Sequence, residues 1–327
     1  MTNFSSNSAI NGRISRRALL EGAVKLGALA AAPSGLLREA SAASDELAAR
    51  RAQMAATPIE AVKLTNVITM FTGPGGNVVV RNGEEGKVVV DTFVQGAFAG
   101  LKQRLDDMAK TPILFLINTH WHFDHTDNNE SFRKAEAEIW AQENTKKRLM
   151  ESHDLMGMHI PPAPADALPT HVFSQFDHIE FNLPGTEEFI DMEYVPRAHT
   201  DSDITVRFVM GDVLHLGDTF FNGMYPFIDL GTGGSINGMI AATENSLKIA
   251  NPGTKIVPGH GPLGDRDALM KYQDMLVTVR DRVEKLKKSG RSELQVLAAK
   301  PTMDLDESWG KGFVKPEDFV SIVYRGV

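Results

Sequence analysis

Cysteine is absent from all 327 residues. That single lack excludes disulfides, thiolate metal ligands and a cysteine nucleophile, and it suits an oxidising compartment. The chain also has no apolar run long enough to span a bilayer. A positive excess is missing too. The formal net charge is −8, so neither nucleic acid nor an anionic membrane surface is suggested as a partner. There is no internal repeat and no low-complexity tract. What is present is an ordinary globular composition, 42% hydrophobic and 23% charged, with length enough for one large domain or two modest ones. A small-molecule substrate is the expected partner, and nothing in the sequence signals an oligomeric state.

Residues 1–42 read as an address rather than as fold. Arg13, Arg16 and Arg17 open the segment, and Ser15-Arg16-Arg17-Ala18-Leu19-Leu20 resembles a twin-arginine export signal. A weakly apolar stretch from Ala18 to Ala32 follows, with Glu21 and Lys25 inside it, which argues against a transmembrane anchor. Ala40-Ser41-Ala42 offers a small-residue cleavage site. The expectation is therefore a periplasmic or secreted protein without stable membrane insertion after cleavage. Residues 43–60, rich in Ala, Arg and Glu, read as a helical or loose lead-in, and 61–327 are expected to form the main domain, with helices at its C-terminal end.

From Asn66 the pattern turns to strands. Val67–Phe71 and Val78–Val80 flank Gly73-Pro74-Gly75-Gly76, a hairpin tip that is also a candidate flap over a cleft. Lys87–Asp91 makes a third strand, residues 96–109 a helix, and Ile113–Ile117 a fully apolar, buried strand whose end delivers Asn118-Thr119-His120. Later strands fit Glu188–Val195, Ile204–Val209, Val213–Leu216 and Lys255–Val257. Ser235 and Asp265 are placed to cap two amphipathic helices, the second stopping at Gly290. Strand-rich halves each followed by helices suggest two sheets with helices outside.

The most informative stretch is Thr119-His120-Trp121-His122-Phe123-Asp124-His125. Three imidazoles and a carboxylate directly after an apolar strand are hard to explain by packing, and both donor types suit zinc at neutral pH. Together with Arg197-Ala198-His199-Thr200, Gly217-Asp218-Thr219 and Pro258-Gly259-His260-Gly261, this HxHxDH segment resembles the metallo-beta-lactamase superfamily. The resemblance implies an α/β fold, an αββα four-layer sandwich, with metals in the cleft at the edge of both sheets. By position it implies that His120, His122 and His199 hold one Zn²⁺, that Asp124, His125 and His260 hold a second, and that Asp218 bridges them. Iron or manganese suits the same donors, because Asp218 is harder than a thiolate. A hydroxide shared by the two ions would be the nucleophile, and Asp124 would orient it and take its proton. Thr119 and Thr200 are candidates for fixing the histidine tautomers.

Asn222 and Tyr225, close behind Asp218, are candidate hydrogen-bond donors to a substrate carbonyl or oxyanion. Leu155-Met156-Gly157-Met158 is a candidate apolar wall of the cleft or simply core. His215, on the strand leading to Asp218, reads as structural. Compared with the zinc beta-lactamases that use a cysteine on the second metal, Asp218 stands where that cysteine would. Phe221 replaces the lysine that holds the lactam carboxylate, and Asp127 and Asn128 replace the glycines after the motif. Three functions follow: a hydrolase of a cyclic amide or ester (beta-lactam or lactone), a glyoxalase II-like thioesterase, or a metal-binding protein without turnover.

Overall fold

Alternation in the first strands sets the architecture. In the computed structural model, which describes residues 34–181 and 187–327, the chain forms β1 (Glu60–Lys63), β2 (Ile68–Thr72), β3 (Val78–Asn82), β4 (Lys87–Val90), β5 (Ile113–Asn118) and β6 (Glu138–Gln142). A short hairpin, β7 (His153–Leu155) with β8 (Met158–Ile160), precedes β9 (His171–Phe173). The second half contributes β10 (Phe176–Phe181), β11 (Glu188–Tyr194), β12 (Ile204–Phe208), β13 (Val213–His215) and β14 (Lys255–Val257). One sheet is ordered β1-β2-β3-β4-β5-β6-β9 and the other β10-β11-β12-β13-β14.

The outer strands of the first sheet are antiparallel, whereas β4, β5, β6 and β9 run parallel. Parallel pairing needs crossovers, and these cover the sheet. Helix Phe98–Met108 returns the chain from β4 to β5, with Leu101 and Leu105 buried on Val80, Val89 and Leu116. Burial on both faces is why β4 and β5 read as unbroken apolar runs. Lys87 opens β4, and its buried ammonium donates to the carbonyls of Ala109 and Thr111 at 2.8 and 2.7 Å. A cation there complements the C-terminal end of helix Phe98–Met108, which follows β4.

In the second sheet only β13 and β14 are parallel, joined by helix Ile236–Ile249. Ser235 accepts a hydrogen bond from the Gly238 amide, and Asp265 accepts one from Ala268 at the start of helix Arg266–Lys288. Both caps fall where the sequence predicts them. The two sheets meet through an apolar layer that includes Met70, Val79 and Val90 on one side and Ile190, Val206 and Phe208 on the other. Helices then cover both outer faces, the second with Leu214, Ile256, Met239 and Tyr272. This is the four-layer αββα sandwich.

The segment read as a twin-arginine export signal, around Arg16 and Arg17, lies outside the described residues. A helix spans Ser34–Ala55 and thus contains Ala40–Ala42 and most of the expected lead-in. Within Ala43–Val327, one compact unit, Leu47 packs with Val94, Trp121 and Phe123. No helix among the described residues is long and apolar enough to cross a membrane.

Candidate metal centre

Strand ends and two loops converge at one edge of the sandwich. The turn after β5 supplies His120 and His122, and the single helical turn Phe123–Thr126 supplies Asp124 and His125. His199 comes from the β11–β12 loop, Asp218 from the turn after β13, and His260 from the loop after β14. Ligands carried at the carboxyl ends of buried strands rest on a rigid support. Two groups of donors form, each with its atoms within 4.8 Å of one another: His120, His122, His199 and Asp218, then Asp124, His125 and His260.

Asp218 faces both groups. Its Oδ2 lies 3.4 Å from His199 Nε2 and 3.3 Å from His260 Nε2, while Oδ1 is 3.2 Å from His125 Nε2. Asp124 Oδ2 is 3.3 Å from His260 Nε2 and 3.6 Å from His125 Nε2. Glycine makes this crowding possible. A Cβ at Gly259 would collide with the Asp218 carboxylate, and one at Gly76 with the His125 ring.

Four of the five histidines have one ring nitrogen held from behind. His125 Nδ1 sits 2.7 Å from Asp91, and His122 Nε2 sits 3.3 Å from Asp229. His199 Nδ1 is 2.8 Å from the Phe227 carbonyl, and His120 Nδ1 is 3.1 Å from Thr119 Oγ1. If the outer nitrogens of His122 and His199 donate to these oxygens, the inner ones, 2.8 Å apart, are both lone pairs. Such a pair repels unless a cation lies between. His120 Nε2, His125 Nε2 and Asp218 Oδ1 are buried without hydrogen-bond partners. Buried polar atoms are rarely left so, and a metal ion satisfies all three. The residues present therefore fit a metal centre of imidazole and carboxylate donors.

The electrostatics agree. Burial pulls His120 well below its ordinary range and His199 down to about 4, so both are neutral donors. Burial acts the same way on His125 and His260, but the surrounding aspartates outweigh it and raise both, His260 to about 9. Burial opposes ionisation of Asp124, yet His125 and His260 hold it down at about 2. Asp229 is likewise kept ionised, its burial outweighed by the hydrogen bond with His122.

Residues 72–260 match the sequence profile of the metallo-beta-lactamase superfamily. The chain belongs to that superfamily. None of the curated proteins matches significantly. Solved structures with the same fold include a metallo-beta-lactamase from Pontibacter korlensis, 17% identical, with a TM-score of 0.56 over 67% of this chain and 99% of that one. The sec-alkylsulfatase Pisa1 from Pseudomonas sp. is 15% identical, with a TM-score of 0.60 over 82% of this chain and 50% of that one. The DIM-1 metallo-beta-lactamase is 18% identical, with a TM-score of 0.54 over 68% of this chain and 99% of that one.

Within this superfamily hydrolase, all seven residues named from the motifs come together. The two expected substrate donors do not join them. Tyr225 is fully buried, stacks on Phe319 and donates its hydroxyl to Asp306. Asn222 donates to the carbonyls of Pro262 and Leu263 and so holds the His260 loop. The reason is local. Phe221 bridges to His260 and stacks on its ring at 5.2 Å, so the chain presents Phe221 to the centre and turns its neighbour away.

Thr119 does act behind the histidines, bonding Asp91 through both its amide and its hydroxyl. Thr200 instead binds Asp203, which also accepts the His199 amide, so it fixes backbone rather than a tautomer. The Gly73–Gly76 turn is packed as floor, not poised as a flap: Gly76 is buried on His125, and Asn77 ties the turn to the carbonyls of Pro258, Gly259 and Gly261. His215 Nδ1 accepts the Gly217 amide, a structural role. His153 lies against Trp121, while His159 and His171 pair with Asp154 and Asp177.

A cavity of about 200 Å³ opens onto His122, Asp124, His199, Asp218 and His260. Its walls include Leu155, Met156 and Met158, so the methionine-rich hairpin is a cleft wall. Asp91, Asp229 and the Phe227 carbonyl have no motif of their own. Only the fold reveals them.

Proposed function

We propose that the protein is an exported dizinc hydrolase that opens a cyclic amide or ester, a beta-lactam or a lactone. The observation that carries this reading is Asp218, whose carboxylate lies between the two donor groups, within 3.4 Å of His199 on one side and 3.2–3.3 Å of His125 and His260 on the other, at the floor of a small, mostly apolar cavity. Bound in those groups, two divalent ions supply Lewis acidity and bring the pKa of water toward neutrality. The chain's own residues do the rest. Asp91, Asp229 and the Phe227 carbonyl orient three rings, so each keeps a lone pair inward. Asp124, ionised and 8% exposed at the cavity surface, is the group placed to accept a proton there. Phe227, Phe313 and the methionine wall line the cavity and keep water away from the reacting bond. The Arg16-Arg17 pair supports export in a folded, metal-loaded form.

The test is turnover by chelated and reloaded protein against a chromogenic cephalosporin, a γ-lactone, a thioester and a secondary alkyl sulfate. Metal-dependent opening of the lactam or lactone is the expected result. Preference for the thioester would establish the glyoxalase II-like reading instead. No turnover by protein holding both ions would leave a metal-binding protein without hydrolytic function.

A further inference from the structure

The cavity contains one charged side chain outside the donor set. Arg50, half-buried, lines it beside Met54, Leu155, Met158, Phe227 and Phe313. Among the described residues no carboxylate pairs with Arg50, whereas the adjacent Arg51 is fully engaged. Arg51 grips Asp127 with both arms of its guanidinium, and the Gln95 amide donates to the same carboxylate at 2.9 Å.

Asp127 is one of the two residues that replace the glycines usual after the motif. Asn128, the other, donates to the carbonyls of Thr92, Phe93 and Val94. The first replacement thus docks the part of helix Ser34–Ala55 that lies within Ala43–Val327, and the second fixes the loop at 92–94. With Leu47 buried and Arg51 pinned, Arg50 is held at the cavity. Phe221, stacked on His260 at 5.2 Å, offers no charge on that side of the centre.

We propose that Arg50 is the specificity residue of this enzyme, receiving a carboxylate on an otherwise apolar substrate. This deepens the hydrolase reading and rests on it for the reaction, though not for binding. A guanidinium suits the task because its planar fork matches a carboxylate bidentately. Its partial exposure limits the gain to the lower end for a charged hydrogen bond, about tenfold in affinity, weakening with salt. The apolar walls accept the rest of the molecule.

The test is calorimetric titration of metal-loaded protein with phenylbutyrate and with phenylbutyramide, its neutral counterpart. The wild type should prefer the carboxylate by about tenfold. Arg50→Gln should abolish that preference while metal content stays unchanged, and Arg50→Lys should restore part of it. Equal loss for both ligands would make Arg50 a wall residue only. An unchanged preference in Arg50→Gln would place the carboxylate on the metals, and absence of binding by either probe would exclude an apolar monoanion. Each of these outcomes overturns the proposal. Should the preference behave as expected while no cyclic ester or amide is opened, the reaction assignment fails and the binding assignment stands.

Discussion

Replacing Asp91 by Asn tests whether the residues behind the histidines hold the centre together. Asp91 is fully buried; its Oδ2 lies 2.7 Å from His125 Nδ1 and accepts Thr119 Oγ1, and its Oδ1 accepts the Thr119 amide at 2.8 Å. Its backbone has φ 65°, a region that asparagine tolerates well, so the change brings no new backbone strain. The amide has one oxygen where three donors converge. Whichever way it turns, at least one donor faces an NH₂ group, and one of the charges that raise His125 basicity, second to that of Asp218, is gone. Losing such a partner costs about 10- to 100-fold in metal affinity, or about 1.4–2.8 kcal/mol. The loss should be largest at the group of Asp124, His125 and His260, which Asp91 touches directly, and smaller at that of His120, His122 and His199, which it reaches only through Thr119. Competition with a chromophoric chelator, read with metal analysis, resolves the two. A second-site affinity within about threefold of wild type would refute the argument that Asp91 tunes His125.

The chelated protein should be most stable near pH 6.5, because histidines held low and histidines held high share that unfolded value. His120, and His199 at about 4, resist charging, so stability falls as pH drops below 6.5. His260 contributes fully below 6.5 and loses that contribution as pH rises toward about 9. Asp203, pushed up to about 8 by burial, loses its contribution as pH rises from about 3.8 to 8, so it adds to the fall between 6.5 and 8 and offsets part of the acid loss. Melting curves that rise steadily through this range would contradict the assignment. Asp124→Asn should keep most of the fold and lose about 10²–10⁴ in turnover, whereas His120→Ala should lose metal as well as rate. Metal analysis and kinetics on both variants decide, and near wild-type turnover with both ions in Asp124→Asn would reduce it to a ligand. A reporter fused after Ala42 should be exported only with Arg16 and Arg17 intact. Unchanged export with both as lysine would end the twin-arginine reading.

The donor set was legible because its chemistry is written in short segments. HxHxDH follows an apolar strand directly, and His199, Asp218 and His260 each end or follow a readable strand. The strands themselves were visible where burial on both faces produced runs such as Ile113–Ile117. Asp91 and Asp229 were not legible, because a lone aspartate after a strand or in a loop says nothing of a histidine 34 or 107 residues away. Asn222 and Tyr225 show the opposite failure. Nearness in sequence to Asp218 suggested contact, but the bridge between Phe221 and His260 decides which side chain faces the centre. Asp127 and Asn128 looked like simple departures from a glycine pattern until the fold gave them partners, Arg51 for the first and the carbonyls of residues 92–94 for the second.

The cavity walls have a mixed ancestry. Every donor lies within residues 72–260, the part of the chain shared with the superfamily, whereas Arg50 and Met54 precede it and Phe313 follows it. Segments at the two ends can therefore change without replacing a single ligand, and Phe313, packed edge-on against His260 at 5.6 Å, is the one of the three that touches one. Substitution meets little resistance at Met54. At Gly76 or Gly259, where even a methyl group collides with a ligand, it meets a wall.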